Sequence, residues 1–189
     1  MRRLLPAVLL LLPLPALAHT GAGHVAGFLA GVGHPFGGLD HLMAMVAVGL
    51  WAGLLGGRAA WVLPAAFLGA MALGGVLGIN GVALPMVEAG IAASVIVLGA
   101  LVALATRPPL AVAVGLAALF GLFHGHAHGM ELATGAGAVA YAAGFLLATA
   151  GLHAAGLALG RVRVPRLHIL TRSAGAAMAM AMLVVLLNG

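Results

Sequence analysis

Long apolar stretches, separated by short segments that contain arginine, proline or glycine, make up most of this chain of 189 residues. A helix needs about 20 apolar residues to cross a bilayer. When the chain is divided at its charges, prolines and glycines, six stretches near that length result: residues 35–56, 60–79, 84–105, 109–126, 132–160 and 168–187. The pattern therefore predicts an all-α integral membrane protein with six transmembrane helices.

The amino terminus has the three parts of a secretory signal peptide. Two arginines at the start of the chain are followed by an apolar run and by the small residues Ala16 and Ala18, which predicts cleavage after Ala18. Pro13 and Pro15, near the end of the run, argue against the alternative, an uncleaved signal anchor, because proline disfavours a long helix. We expect a signal peptide at residues 1–18 and a six-helix transmembrane domain at residues 19–189.

The composition supports a membrane protein and excludes several other classes. Apolar residues make up 64% of the chain, charged residues make up 6%, and the mean hydropathy is +1.23. A soluble domain would need far more polar surface. Because cysteine and lysine are both absent, thiolate metal sites, cysteine nucleophiles and a Walker A phosphate loop are excluded. Glycines recur at spacings typical of closely packed membrane helices, as in Gly49-xxx-Gly53-xxx-Gly57 and Gly121-xxx-Gly125-xxx-Gly129.

Positive charges fall on one side of the predicted topology. With the mature amino terminus outside, the chain reaches the cytoplasm at residues 57–59, 106–108 and 161–167. The arginines of the mature chain lie in or directly after these segments: Arg58, Arg107, Arg161, Arg163, Arg166 and Arg172. This asymmetry obeys the positive-inside rule independently of the signal peptide. Trp51 and Trp61 flank the first segment, where interfacial aromatic side chains are expected.

Two short runs, residues 34–41 and 123–131, concentrate the ionisable groups of the chain. They hold five of the nine histidines and two of the three acidic residues. The topology places both runs in the external half of the membrane, with Glu88 near the start of the third span and Glu131 at the start of the fifth. Because ionisable groups inside a membrane are unfavourable and mark functional sites by default, the two runs predict one external-facing site.

Helical geometry divides the residues of each run. On a continuous first helix, His34 and His41 would lie two turns apart on one face. Asp40 would point about 120° away and would orient a histidine of a neighbouring helix or support a ligand from behind. If the fourth helix does not break at its glycines, three residues fall within about 60° of one another: His124, His128 and Glu131. His126 would then point elsewhere, towards solvent.

Imidazole and carboxylate without thiolate form a ligand set for a divalent transition metal such as Ni²⁺, Co²⁺ or Zn²⁺. The residues predicted to bind the metal are His34, Asp40, His41, Glu88, His124, His128 and Glu131. A single histidine in a membrane more often forms a hydrogen bond between helices than a metal site. That interpretation applies to His153 and His168, although the depth of His153 also suits an exit path.

The motifs resemble those of the HupE/UreJ family of small nickel permeases associated with hydrogenase and urease maturation. The resemblance extends over essentially the whole chain and rests on His34-Pro35-x-x-Gly38-x-Asp40-His41, Phe123-His124-Gly125-x-Ala127-x-Gly129-x-Glu131 and Val87-Glu88-Ala89-Gly90. It implies a secondary transporter that imports Ni²⁺, or Co²⁺, across a bacterial inner membrane through a site formed by the motif histidines and acids. The metal ion would be substrate, and we expect no catalytic site, resident cofactor or nucleic-acid partner.

Two other functions stay open on the residues alone. Histidines on facing helices can bind haem iron, as in a membrane redox protein, although the accompanying acids argue against it. An accessory or sensor subunit would bind the metal without carrying it. Intramembrane proteolysis is disfavoured because the only serines, Ser94 and Ser173, are not expected near the motifs, and the His-Glu-x-x-His signature of zinc proteases is absent.

Overall fold

In the computed structural model of the protein, residues 27–132 and 137–188 are described, and within them every regular element is helical. The seven α-helices are α1 Phe28–Gly33, α2 Leu39–Leu55, α3 Ala59–Ile79, α4 Val87–Ala103, α5 Leu110–Glu131, α6 Ala138–Arg161 and α7 Pro165–Asn188. The predicted signal peptide and its cleavage site lie outside the described residues.

Four helices, α3, α5, α6 and α7, are long and apolar enough to cross a membrane. The bent pair formed by α1 and α2 makes a fifth candidate if both are counted as one span, while α4 is apolar but shorter. The prediction of an all-helical fold with membrane-type helices is therefore confirmed. A helix occurs in each of the six predicted stretches, whereas six complete spans stay a prediction.

The first predicted stretch, residues 35–56, is not one continuous helix. A 3₁₀ turn at His34–Phe36 follows α1. The axis of α1 and this turn together, Phe28–Phe36, is bent by 86° from that of α2. Pro35, the second residue of the turn, fits there because it has no N–H to satisfy. Gly38 then adopts an extended conformation, with φ −119° and ψ 125°, directly before α2. The expected two-turn alignment of the histidines on one helix is therefore wrong.

Close backbone packing at glycines holds the helices together. A Cβ atom at five of the six glycines in the predicted spacings would overlap the backbone of a partner helix: Gly49, Gly53, Gly121, Gly125 and Gly129. These glycines join α2 to α6 and α5 to α3, and α3 with α5 is the most extensive pair of the bundle. Gly57 differs, because it has a φ of 52° in the turn before α3 and no neighbour within 4 Å of a Cβ.

The two ends of the bundle carry opposite charges. A cavity of about 250 Å³, which we call the acidic cavity, is lined by Asp40, Glu88 and Glu131. A cavity of about 460 Å³ at the other end, the arginine cavity, is lined among others by Arg107, Arg161 and Arg163. The predicted separation of acids from arginines is therefore present in the folded chain.

The two tryptophans near Arg58 have different surroundings. Trp61 is exposed, and the guanidinium of Arg161 lies 5.3 Å from the centre of its ring. Trp51 is fully buried, and its Nε1 donates a hydrogen bond of 3.0 Å to the carbonyl oxygen of Thr106. The loop before α5, in the predicted cytoplasmic segment 106–108, satisfies the indole N–H. The interfacial position of Trp51 stays a prediction.

Candidate metal centre

The acidic cavity gathers six of the seven residues predicted to bind metal. They are His34, Asp40, His41, Glu88, His128 and Glu131. The seventh, His124, lies deeper, and its ring centroid is 4.6 Å from that of His41. The 3₁₀ turn, α2, α4 and α5 thus bring the two sequence motifs into one site.

The second motif lies on an unbroken helix. Because α5 continues through Gly125 and Gly129 to Glu131, His124 and His128 keep the common face that helical geometry predicts. Glu131 therefore ends α5, and its expected position at the start of the next helix is wrong. The two glycines do not break the helix because the backbone of α3 packs directly against them.

His34, His128 and Glu131 form the outermost group of candidate ligands. One ligand atom from each lies within 4.8 Å of the other two. Nε2 of His34 is 3.0 Å from Nδ1 of His128, and Oε2 of Glu131 is 3.9 Å from the same Nδ1. At metal–nitrogen distances of about 2.1 Å, two ligands at right angles are about 3 Å apart. The two imidazoles are therefore spaced to bind one ion together.

Asp40 determines which nitrogen of His41 is available. Its Oδ1 lies 2.9 Å from Nδ1 of His41 and also accepts the backbone N–H of His41 at 2.8 Å. Because a carboxylate accepts, Nδ1 carries the proton and Nε2 keeps its lone pair. No group in the described part of the chain hydrogen bonds to that buried Nε2. His41 can therefore offer Nε2 to a metal ion.

Of the two positions expected for Asp40, the structure agrees with the one behind a candidate ligand. The histidine that it orients is its own neighbour and not one of another helix. Since α2 begins at Leu39, Asp40 and His41 lie in its first turn. Backbone N–H groups there have no partner within the helix, so the carboxylate turns back to accept one. The same oxygen then reaches the imidazole.

Ser94 plays the corresponding part for His124. The hydroxyl of Ser94 donates to the carbonyl oxygen of Ile91 at 2.6 Å, so its oxygen must accept the 2.8 Å hydrogen bond from Nε2 of His124. His124 then has its lone pair on Nδ1, which is buried and has no partner among the described residues. The expectation that Ser94 lies away from the motifs is wrong. The available signal was a single hydroxyl residue in the apolar part of α4 that follows Glu88.

This contact does not make Ser94 a nucleophile. A nucleophilic serine must give its proton to the histidine, whereas the proton of Ser94 points to the backbone of Ile91. The pair instead orients the imidazole.

His126 is buried, so its expected exposure to solvent is wrong. Its Nε2 donates a hydrogen bond of 2.7 Å to the carbonyl oxygen of Val82, in the segment between α3 and α4. This hydrogen bond ties α5 to that segment. His126 points away from the acidic cavity, because it lies two residues from both His124 and His128 on the helix.

Four imidazoles follow one another from the acidic cavity into the bundle. The ring centroids are 4.6 Å apart between His34 and His128, 4.3 Å between His128 and His41, and 4.6 Å between His41 and His124. We call these four residues the histidine row. His34 is partly exposed, whereas His124 at the inner end has no exposed surface.

Glu88 lies in the wall of the acidic cavity, in the first turn of α4. Its side chain is exposed, so it does not carry the desolvation cost expected for a buried carboxylate. The helix N-terminus stabilises negative charge at this position. Glu88 therefore adds to the negative potential of the cavity without contacting the innermost histidines.

Comparison with known proteins agrees with the resemblance of the motifs. A sequence model of the HupE / UreJ protein family matches residues 7–185. The chain is 52% identical over 172 residues to the curated "Protein HupE" of Rhizobium leguminosarum bv. viciae, and the match covers 90% of each chain. No solved structure matches the chain.

Proposed function

The chain belongs to the HupE/UreJ family, and from this membership we propose that it is a secondary transporter that imports Ni²⁺, with Co²⁺ as the second candidate. The histidine row carries the proposal, because it leads from an acidic cavity to a fully buried imidazole. The transported metal would serve hydrogenase or urease maturation, the processes with which the family is associated.

The proposed orientation places the acidic cavity in the periplasm and the arginine cavity in the cytoplasm of a bacterial cell. It assumes six spans in the inner membrane and a signal peptide that is removed after Ala18. The arginines at one end support this orientation, since cytoplasmic segments of membrane proteins carry the excess of positive charge.

Capture of the ion begins at the carboxylates. A cavity lined by negative groups raises the local concentration of cations. Nitrogen ligands of His34 and His128, together with a carboxylate oxygen of Glu131, then replace water around the ion. Imidazole and carboxylate suit Ni²⁺ and Co²⁺.

Transfer into the bundle uses nitrogens whose lone pairs are oriented in advance. Nε2 of His41 and Nδ1 of His124 are buried, and Asp40 and Ser94 hold the other nitrogen of each ring. An ion can thus move between adjacent imidazoles without returning to water. A negative-inside potential favours entry of a dication by about 4.6 kcal/mol per 100 mV, so ATP is not required.

The geometry favours transport over a haem-binding redox protein. Bis-histidine ligation requires the macrocycle to lie between two imidazoles, but adjacent rings of the row have centroids only 4.3–4.6 Å apart. They leave no space for a porphyrin. An accessory or sensor subunit fits the outer group of ligands but does not account for the inward extension of the row.

The proposed function is tested by uptake of radiolabelled Ni²⁺ into vesicles that contain the purified protein, under an imposed negative-inside potential. We expect accumulation above that of protein-free vesicles, with competition by Co²⁺. Binding without accumulation would identify an accessory subunit. A Soret absorption band in the purified protein would instead support the haem alternative.

Replacement of Asp40 by asparagine is expected to weaken Ni²⁺ binding by about 10–100-fold, the usual effect of removing the group that orients a ligand histidine. The asparagine amide can donate to Nδ1 of His41, which allows the proton to move to Nε2. Isothermal titration of the detergent-solubilised protein measures the change.

Glu88→Gln is the matched control for this variant, since it removes the same charge from the same cavity. We expect it to weaken binding by no more than about threefold, because an exposed charge contributes little. Equal losses in the two variants would mean that Asp40 acts through its charge and not by orienting His41.

A further inference from the structure

His153 lies beyond the inner end of the histidine row. It is on α6 and only 1% exposed, and neither Nδ1 nor Nε2 has a hydrogen-bond partner within residues 27–132 and 137–188. The expected hydrogen bond to another helix is therefore not formed within those residues. A buried polar group without a partner is unfavourable, so the position calls for another explanation.

Phe67 of α3 connects His153 to the row. The centroid of its ring is 5.7 Å from that of His124 and 5.1 Å from that of His153. His153 is thus the next imidazole beyond His124, with the ring of Phe67 in contact with both.

Two other side chains that could act as metal ligands lie near His153, one on α6 and one on α2. Thr149 lies four residues earlier, one turn away, and is fully buried. Its hydroxyl donates to the thioether sulfur of Met45 on α2 at 3.4 Å. Three uncharged groups that could bind a metal ion, a hydroxyl, a thioether and an imidazole, therefore lie together in an otherwise apolar part of the bundle.

His153 also lies in line with the arginine cavity. Gly160 lines that cavity and follows His153 by seven residues, so the two share a helix face about 10 Å apart. Between them, the backbones of α2 and α6 touch at Gly49 and Gly156. His153 therefore lies between the histidine row and the contact of α2 with α6, and the arginine cavity lies beyond that contact.

We propose that His153 is an inner metal-binding station, which receives Ni²⁺ or Co²⁺ from His124 when the Phe67 ring that contacts both moves aside, and releases it towards the arginine cavity when α2 and α6 separate. The proposal rests on the transport function proposed above. His153 lies outside both motifs, and we assign to it the passage of the ion from His124 towards the arginine cavity. The motifs do not extend that far, because His124 is about seven residues from the acidic end of α5 and further from its other end.

The test compares His153→Leu with His153→Cys in vesicles under a negative-inside potential. Leucine removes the ligand, and we expect the initial rate of Ni²⁺ uptake to fall by at least about tenfold. The first equivalent of Ni²⁺ should still bind to the detergent-solubilised variant, because the histidine row is intact. Cysteine supplies another metal ligand and should recover part of the rate.

A purely structural role predicts the opposite order, since leucine fills an apolar pocket better than cysteine does. Native uptake by His153→Leu, equal losses in both variants, or loss of binding together with uptake would each overturn the inner station. If His153→Leu does not fold, the Cys and Ser replacements, which are nearly equal in size, give the same comparison of ligand strength.

Uptake by vesicles that contain the native chain shows whether a negative result concerns His153 or the proposed transport function. If native vesicles accumulate Ni²⁺ and His153→Leu does so equally well, transport stands and only the inner station fails. If native vesicles do not accumulate Ni²⁺ above protein-free vesicles, the transport function fails and the inner station fails with it.

Discussion

His41→Ala is expected to lower the initial rate of Ni²⁺ uptake by at least about 100-fold, more than the loss of an orienting group. His41 contacts both His128 and His124, with ring centroids 4.3 and 4.6 Å away. Removing it interrupts the row at its centre. The ion would then have to cross an apolar gap without a ligand, and an isolated charge in such surroundings is strongly disfavoured.

Radiolabelled Ni²⁺ uptake into vesicles measures this loss, and His124→Ala is expected to behave similarly because it removes the inner end of the row. Thr171→Ala is the control, since Thr171 lies on α7, lines neither the acidic nor the arginine cavity, and donates to carbonyl oxygens of its own helix. Uptake at the native rate in both His41→Ala and His124→Ala would remove the proposed site.

Gly125→Ala is expected to lower both thermal stability and uptake, the latter by at least about tenfold. A Cβ at this position would overlap the carbonyl oxygen of Met71 in the backbone of α3. Because a helix backbone cannot move aside as a flexible side chain can, α3 and α5 must separate. Overpacking of this kind costs about 1–3 kcal/mol, and it displaces the α5 histidines on either side of the glycine.

Gly115→Ala provides the matched control on the same helix. No atom lies within 4 Å of a Cβ at Gly115, and alanine is the better helix former by about 1 kcal/mol. We expect native uptake and equal or higher stability for this variant. If Gly125→Ala had the same unfolding temperature and uptake as Gly115→Ala, the close crossing of α3 and α5 would not position the histidines.

The helical fold was predictable because hydropathy averages over about 20 residues, and single errors cancel over that length. The break before α2 was not, since it depends on the extended backbone of Gly38 and on the packing of α1 against α6. Trp51 shows the same limit. Its buried indole N–H is satisfied by the carbonyl oxygen of Thr106, 55 residues away in sequence.

The sequence predicted which residues gather at the candidate site better than it predicted how their side chains are arranged. Topology alone brought residues 34–41 and 123–131 to one end of the bundle, and the structure places them around one cavity. Helical angles described α5 correctly because that helix is unbroken. The same angles gave a wrong direction for Asp40. They assumed one helix from His34 to Asp40, and that helix is interrupted before α2.

The sequence by itself determined where the apolar helices lie, at which end acids and arginines gather, and which ligand types are present, because these depend on residue type and order. Only the tertiary structure decided which nitrogens are available. The lone pairs of His41 and His124 are positioned by Asp40 and Ser94, and His126 is engaged by Val82. The tautomer of an imidazole depends on the partner it meets in space, and for two of these three rings that partner is distant in sequence.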